Sequence, residues 1–371
     1  MTHLVYPGAL HTRFHHALGA MYLMGMAIET LRNKGHAISN EEEEAVIIAI
    51  LLHDIGHGPF SHALEYSIVE GISHEDISGM LMNKLNEQFS GRLTMAIAIF
   101  KGGYTRKFLH QLVSGQLDMD RMDYLNRDSF FTGVSEGVIS SDRIIKMLNV
   151  KDDQIVIEEK GIYSIEKFLI ARRLMYWQVY LHKTVISAEF MLAKILKRSR
   201  ELALRGDTLL ATPALTHFLK KPISREAFMN EDHHLETFAT LDDTDIMAAV
   251  KAWTTHNDFV LAKLCTDLVN RNLYKVDISN TPFDKQHIAA LTKQAITTYG
   301  VTANAASYFV FKDTIGNDAY NPGDGNIRIL MKGGIVKDIT AASDNSNLEA
   351  LAKTVKKHVL CYKKDLAKNQ Q

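Results

Sequence analysis

Cysteine is almost missing: the 371-residue chain has two, Cys265 and Cys361, far apart and outside any CxxC spacing. That usage argues against a disulfide framework and fits a reducing, cytoplasmic setting. An excess of one charge is missing too. Lys and Arg number 42 against 43 acidic residues, a formal net charge of −1. Nothing global therefore draws the chain to nucleic acid or an anionic membrane, although a local basic pocket is compatible with the balance. The longest apolar run, Ala45–Leu52, is far too short to span a bilayer. The opening Met-Thr-His-Leu-Val-Tyr-Pro-Gly has neither the charged nor the apolar region of a signal peptide. No GxxxxGKS/T phosphate loop, internal repeat or low-complexity tract occurs.

Histidine, in contrast, is plentiful, with 17 copies, many of them before residue 75. A hydrophobic fraction of 46% supports a large core, and the length favours one large domain with a smaller one. Residues 13–34 read as a helix, with Phe14, Leu18, Tyr22 and Met26 at near-helical spacing. Asn40 and the acids after it open a second, whose run AVIIAILLHD is apolar nearly all round and stops at Gly56, Gly58 and Pro59. Further helices are expected at 74–88, 106–114, 118–128, 140–148, 164–204 and 243–271. One hairpin is expected, from Gln154 through a Lys160-Gly161 turn to Ile162-Tyr163. From Tyr274 onward strands are expected at 274–279, 307–312, 326–331 and 335–339, with a helix at 284–299. A last helix, from about Asn347, carries Leu348, Leu351, Val355 and Val359 on one face. The expected fold is mostly α: a helical domain over 1–273 and a smaller α/β domain over 274–371.

An apolar helix that ends in His53-Asp54 is costly unless something satisfies the pair, and a divalent cation is one such partner. Arg13 and His16 share a helix face. His57 and His62 lie in and just past the breaker loop, and Asp118, Asp120, Asp123 and Asp128 lie on another expected helix. Two imidazoles with two carboxylates suit a six-coordinate iron, manganese or magnesium ion. Zinc with three protein ligands and a water is the rival.

The segments YPGALHTRFHHALG (6–19), LLHDIGHGPFSH (51–62), SHED (73–76) and LDMDRMDYLNRD (117–128) resemble the HD superfamily. More narrowly, they are similar to the deoxynucleoside triphosphate triphosphohydrolases of the SAM-and-HD-domain type and their bacterial relatives, over about residues 4–200. The resemblance implies that His16, His53, Asp54 and Asp120 ligate the metal, and that Arg13, His57 and His62 contact phosphates. It implies His74 over the α-phosphate as acid or in-line group, oriented by Glu75, and Arg121 on the phosphate tail. Tyr124 and Asp128 would hold the deoxyribose, Arg172 the terminal phosphates, and Tyr180 the sugar face that excludes a 2′-hydroxyl. The implied reaction attacks the α-phosphorus of a dNTP with water, releasing deoxynucleoside and triphosphate. Dimers or tetramers built through the helical domain are implied as well. Family members carry a glutamine-leucine loop ahead of the Tyr-Pro-Gly segment. This chain starts almost at that motif, so the expectation leaves the base side of the pocket open.

Plainer readings apply to the neighbours. His15 is a bystander about 100° round the helix from His16, and His11 takes no catalytic role. Asp118 is a helix-start acid as readily as a ligand, and Asp123 is solvated or pairs with Arg127. Tyr176 and Tyr180 are equally readable as core aromatics, and Arg172 and Arg173 as surface partners of Glu166 or Glu158. Histidines 217, 233, 234, 256, 287 and 358 read as surface or core fillers. Two rivals to the dNTP reading stand: a phosphohydrolase of another nucleotide or phosphoester, and a catalytically weak nucleotide-binding regulator, for which the near-neutral charge disfavours extensive nucleic-acid contact.

Overall fold

The computed structural model describes residues 1–60, 69, 71–317, 320, 325–345, 348 and 355–366. Four helices frame the N-terminal half: α1 (Arg13–Asn33), α2 (Asn40–Leu52), α3 (His74–Gln88) and, after the short α4 (Thr94–Phe100) and α5 (Lys107–Val113), α6 (Met119–Thr132). Each of the four begins at a side chain able to accept a first-turn N–H: Thr12, Ser39, Ser73 and Asp118. Such caps fix where each helix starts, and so where its first-turn side chains lie. Ser73 and Asp76 form a reciprocal capping box, so the SHED segment is also a helix start.

The helix expected at 13–34 forms, but Phe14, Leu18 and Tyr22 are exposed, and Ala20, Met24, Ala27 and Leu31 pack inward. The cause is the close approach of α1 to α6. A Cβ built on Gly19 would lie 1.9 Å from Asp123 Oδ1 and 2.2 Å from Arg127 Nη2, so a larger residue would displace that pair.

After α7 (Ser141–Met147) the hairpin forms one step earlier than expected, from β1 (Leu148–Lys151) and β2 (Gln154–Glu158). Its turn is Asp152-Asp153, both at positive φ (53° and 56°), a region aspartate tolerates. Gly161 instead leads into α8 (Ile162–Met175), where a Cβ would strike Ile157 at 2.5 Å. The single helix expected over 164–204 is two, α8 and α9 (Lys183–Leu204), parted by a π-helical turn at Tyr176–Tyr180. Four helices follow: α10 (Pro213–Lys220), α11 (Arg225–Asn230), α12 (Asp232–Ala239) and α13 (Asp243–Ala252). The helix expected over 243–271 is likewise two, α13 and α14 (Phe259–Val269).

The C-terminal α/β region holds β3 (Lys275–Ser279), α15 (Lys285–Tyr299), β4 (Val310–Asn317), β5 (Arg328–Leu330), β6 (Val336–Asp338) and β7 (Val355–Tyr362). Val355 and Val359 therefore lie on a strand and not on the expected last helix, because β7 pairs antiparallel with both β3 and β4. Leu351 lies outside the described residues. The second sheet runs β1-β2-β5-β6, with β5 parallel to β2 through Ile157↔Ile329. Ile327, Ile329 and Ile339 thus pack with Leu169 and Met175 in the core beneath α1 and α2. A second core gathers α9 to α14 with β3, β4 and β7. No described helix is long and apolar enough to cross a membrane.

Candidate active site

The site forms where the N-terminal end of α1, the C-terminal end of α2, the start of α3 and the first turns of α6 meet. Gly56 makes the meeting of α2 and α3 close: a Cβ there would lie 2.2 Å from His74 O and Ser78 N. Ser78 fastens the junction, donating to the His53 carbonyl (2.7 Å) and accepting from Gly56 N–H (2.9 Å).

Three of the four expected metal residues present ligand atoms within 4.8 Å of one another: His16, His53 and Asp120. His16 Nε2 lies 3.1 Å from Asp120 Oδ1, and His53 Nε2 lies 3.6 Å from the same oxygen. Asp54, the fourth, is adjacent, with Oδ1 at 3.3 Å from His53 Nε2. Each imidazole is held from behind. His53 Nδ1 is 2.6 Å from the Ile50 carbonyl, which can only accept, so Nδ1 carries the hydrogen. His16 Nδ1 donates to Asp123 Oδ2 at 2.8 Å, and Arg127 grips Asp123 at 2.7 and 2.9 Å. Both Nε2 lone pairs then face carboxylate oxygens, and buried His53 Nε2 has no hydrogen-bond partner of sound geometry. Lone pairs facing lone pairs in a buried pocket call for a cation, and the two imidazoles and two carboxylates fit one.

The electrostatics report the same excess of negative charge beside His16, which takes either a proton or a cation. Burial opposes the charged form of His16, but Asp120 and Asp123 outweigh it and lift the imidazole to about 10. Burial would raise the Asp54 and Asp120 carboxyls, yet both are held far below the usual carboxylate range. His57, His53 and Arg13 hold Asp54 down, and His16 and His53 hold Asp120.

Around this cluster Arg13 Nη1 donates to Asp54 Oδ2 (2.6 Å), and His57 Nε2 sits 3.3 Å from Asp54 Oδ1. His57 and His74 stack, ring centroids 3.9 Å apart and planes 12° from parallel. Glu75, expected to orient His74, is exposed on the first turn of α3 and makes no hydrogen bond among the described residues. The His57 ring is what lies against His74. His62 lies outside the described residues.

Arg121 pairs with buried Asp118 and donates to the Gly115 carbonyl (2.7 Å), while Arg172 donates to Gln116 (3.1 Å). Asp118 is therefore a helix cap and counter-ion, not one of the converging metal candidates. Arg172 is buried and pairs with neither Glu158 nor Glu166; Glu158 is taken by Lys34 at 2.7 Å. The Nε atoms of Arg121 and Arg172 are buried donors without partners among the described residues. Tyr180 donates to Asp128 Oδ2 (2.5 Å), and its ring meets Tyr124 edge-on at 6.2 Å. Burial raises the phenol pKa of both tyrosines, keeping them protonated donors. His11 also binds Asp128, Nε2 to Oδ1 at 2.8 Å, and stacks on Phe131. His11, expected to take no catalytic role, and Asp123, expected to be solvated or paired with Arg127, both reach the site through contacts more than a hundred residues apart; the i, i+4 spacing of Asp123 and Arg127 is the one local signal.

Comparison with known proteins agrees with this geometry. Residues 13–127 match the HD domain, and residues 139–210 match the HD associated region. The crystal structure of a phosphohydrolase from Bacteroides thetaiotaomicron is similar at 55% identity and TM-score 0.94, covering 98% of this chain and 90% of that one. The uncharacterized protein YwfO of Bacillus subtilis is 32% identical over 98% of this chain and 84% of its own length. The deoxynucleoside triphosphate triphosphohydrolase SAMHD1 homolog of Dictyostelium discoideum is 34% identical over 52% of this chain and 41% of its own.

Proposed function

This chain belongs to the HD-domain phosphohydrolases, and on that premise we propose that it hydrolyses deoxynucleoside triphosphates to deoxynucleoside and inorganic triphosphate. The observation that carries the reading is the group of polar side chains about two turns along α6 from Asp120. There Asp128 is held by both Tyr180 and His11, with Tyr124 against Tyr180.

His16, His53, Asp54 and Asp120 would hold one divalent ion, with iron, manganese or magnesium favoured by the mixed nitrogen and oxygen set. Such an ion supplies Lewis-acid polarisation of a phosphoryl oxygen and acidifies water. Arg13 and His57 bind phosphate oxygens next to the cluster. His62, by the family resemblance, does the same. Arg121 and Arg172 offer their unpartnered Nε–H donors to the phosphate tail, since stabilising a polyphosphate is mainly positioning and charge. Water attacks the α-phosphorus, the bond from that phosphorus to the 5′-oxygen breaks, and His74 supplies the proton that the departing oxygen takes. Tyr180 and Asp128 occupy the space on the sugar where a 2′-hydroxyl would sit, selecting deoxyribose.

A smaller phosphoester is the second reading. It is favoured by the pairing of Arg121 with Asp118, which leaves less uncompensated positive charge for three phosphates. Turnover of each dNTP and NTP with manganese, magnesium or iron separates the readings. Inorganic triphosphate is expected from dNTPs with the wild type, and from none with Asp120→Ala or His74→Ala. Release of phosphate from monophosphates alone would replace the triphosphohydrolase reading with the second.

A further inference from the structure

Apart from the first cluster, α10 and α12 bring three other histidines together. One nitrogen from each of His217, His233 and His234 lies within 4.8 Å of the others. His217 Nε2 and His234 Nδ1 are 2.8 Å apart, and the His233 and His234 ring centroids are separated by 3.9 Å. His234 is buried, His217 half-buried and His233 exposed. Three imidazoles packed this closely cannot all be charged. A single proton shared by His217 and His234 satisfies those two alone and leaves His233 outside the arrangement. Glu231 lies behind the group, with Oε2 3.5 Å from His234 Nε2. That carboxylate attracts the hydrogen of His234 to Nε2 and leaves the Nδ1 lone pair facing His217, as second-layer carboxylates do for metal-binding histidines.

We propose that His217, His233 and His234 form a second metal site, for zinc or another divalent ion that favours imidazole, which ties α10 to α12. Zinc–nitrogen bonds of about 2.0–2.1 Å in a tetrahedron set two ligand nitrogens about 3.3 Å apart. The 2.8 Å pair therefore has to open by only about half an ångström, within reach of side-chain rotation. Three imidazoles leave the fourth position to water. This all-nitrogen set differs from the carboxylate-rich cluster at His16, so the two sites select different ions. The site is also joined to the helix that carries His74: Asp232, the first residue of α12, is ion-paired with Lys84 of α3.

The test uses the full chain carrying His53→Ala and Asp120→Ala, which leaves the first cluster two of its four residues, equilibrated with zinc and then freed of excess. Metal content by mass spectrometry should give one zinc per chain, and zinc should raise the Tm. Both effects should vanish when His217→Ala or His233→Ala is added. His233 is exposed, so its replacement removes a ligand without opening the core. A His53→Ala, Asp120→Ala chain that binds no zinc, or His217→Ala and His233→Ala derivatives of it that retain zinc, would overturn the proposal. Neither result bears on dNTP turnover by the wild type.

Discussion

Asp123 is not one of the converging residues of the histidine-aspartate cluster, yet it fixes how His16 meets them. Its Oδ2 takes the Nδ1 hydrogen, and Arg127 keeps the carboxylate from turning. Asp123→Asn is expected to weaken metal binding at the first cluster by about 10–100-fold, measured by competition against a fluorescent chelator; unchanged affinity would assign Asp123 to the fold alone. Tyr180→Phe removes the bond to Asp128 at the end of the site proposed to hold the sugar. Losing one buried hydrogen bond of about 1 kcal/mol should lower the dNTP over NTP preference in kcat/KM by roughly fivefold, with the metal content unchanged. At this scale the sequence was readable where residues are contiguous. His53-Asp54 closes an apolar helix, and that alone demands a partner. It was silent where the partner is distant: His16 and Asp123 are 107 positions apart, and His11 and Asp128 are 117 apart. No local pattern reports such a meeting.

Among the elements, the junction of α2 with α3 depends on a missing side chain. Gly56→Ala places a Cβ 2.2 Å from two backbone atoms, so a loss of about 1–3 kcal/mol or more from overpacking is expected in urea unfolding. Gly25 is the control. It lies inside α1 with no atom within 4 Å of a built Cβ, so Gly25→Ala should stabilise by about 0.5–1 kcal/mol through helix propensity. Helices were legible because periodicity, caps and breakers agree over a dozen residues. The hairpin turn was misplaced because Lys160-Gly161 offers the commoner turn residue, while Asp152-Asp153 does the work through aspartate's tolerance of positive φ. Residues 355–362 looked helical because their strand partners, β3 and β4, lie far earlier in the chain.

For the whole molecule, a buried ion triad fastens the last strand to the helices. Asp267 on α14, 1% exposed in its side chain, takes Lys263 at 2.9 Å and Lys363, just after β7, at 2.7 Å. Lys363→Met leaves Asp267 short of one partner in the interior and should cost about 3–5 kcal/mol in chemical denaturation, far more than Lys364→Met at the exposed neighbour. If the two variants unfold alike, the triad is not what holds the strand. The parallel pairing of β2 with β5 has its own consequence, in the order of events during synthesis. Ile157 leaves the ribosome long before Ile329, its partner, and at about 5–20 residues per second the interval lasts on the order of ten seconds or more. Throughout that interval one side of β2 carries open backbone donors and acceptors, a template for a stray strand from another nascent chain. The histidine-aspartate cluster can close early. Completion of the sheet, and with it protection from aggregation, waits for the last stretch of the polypeptide.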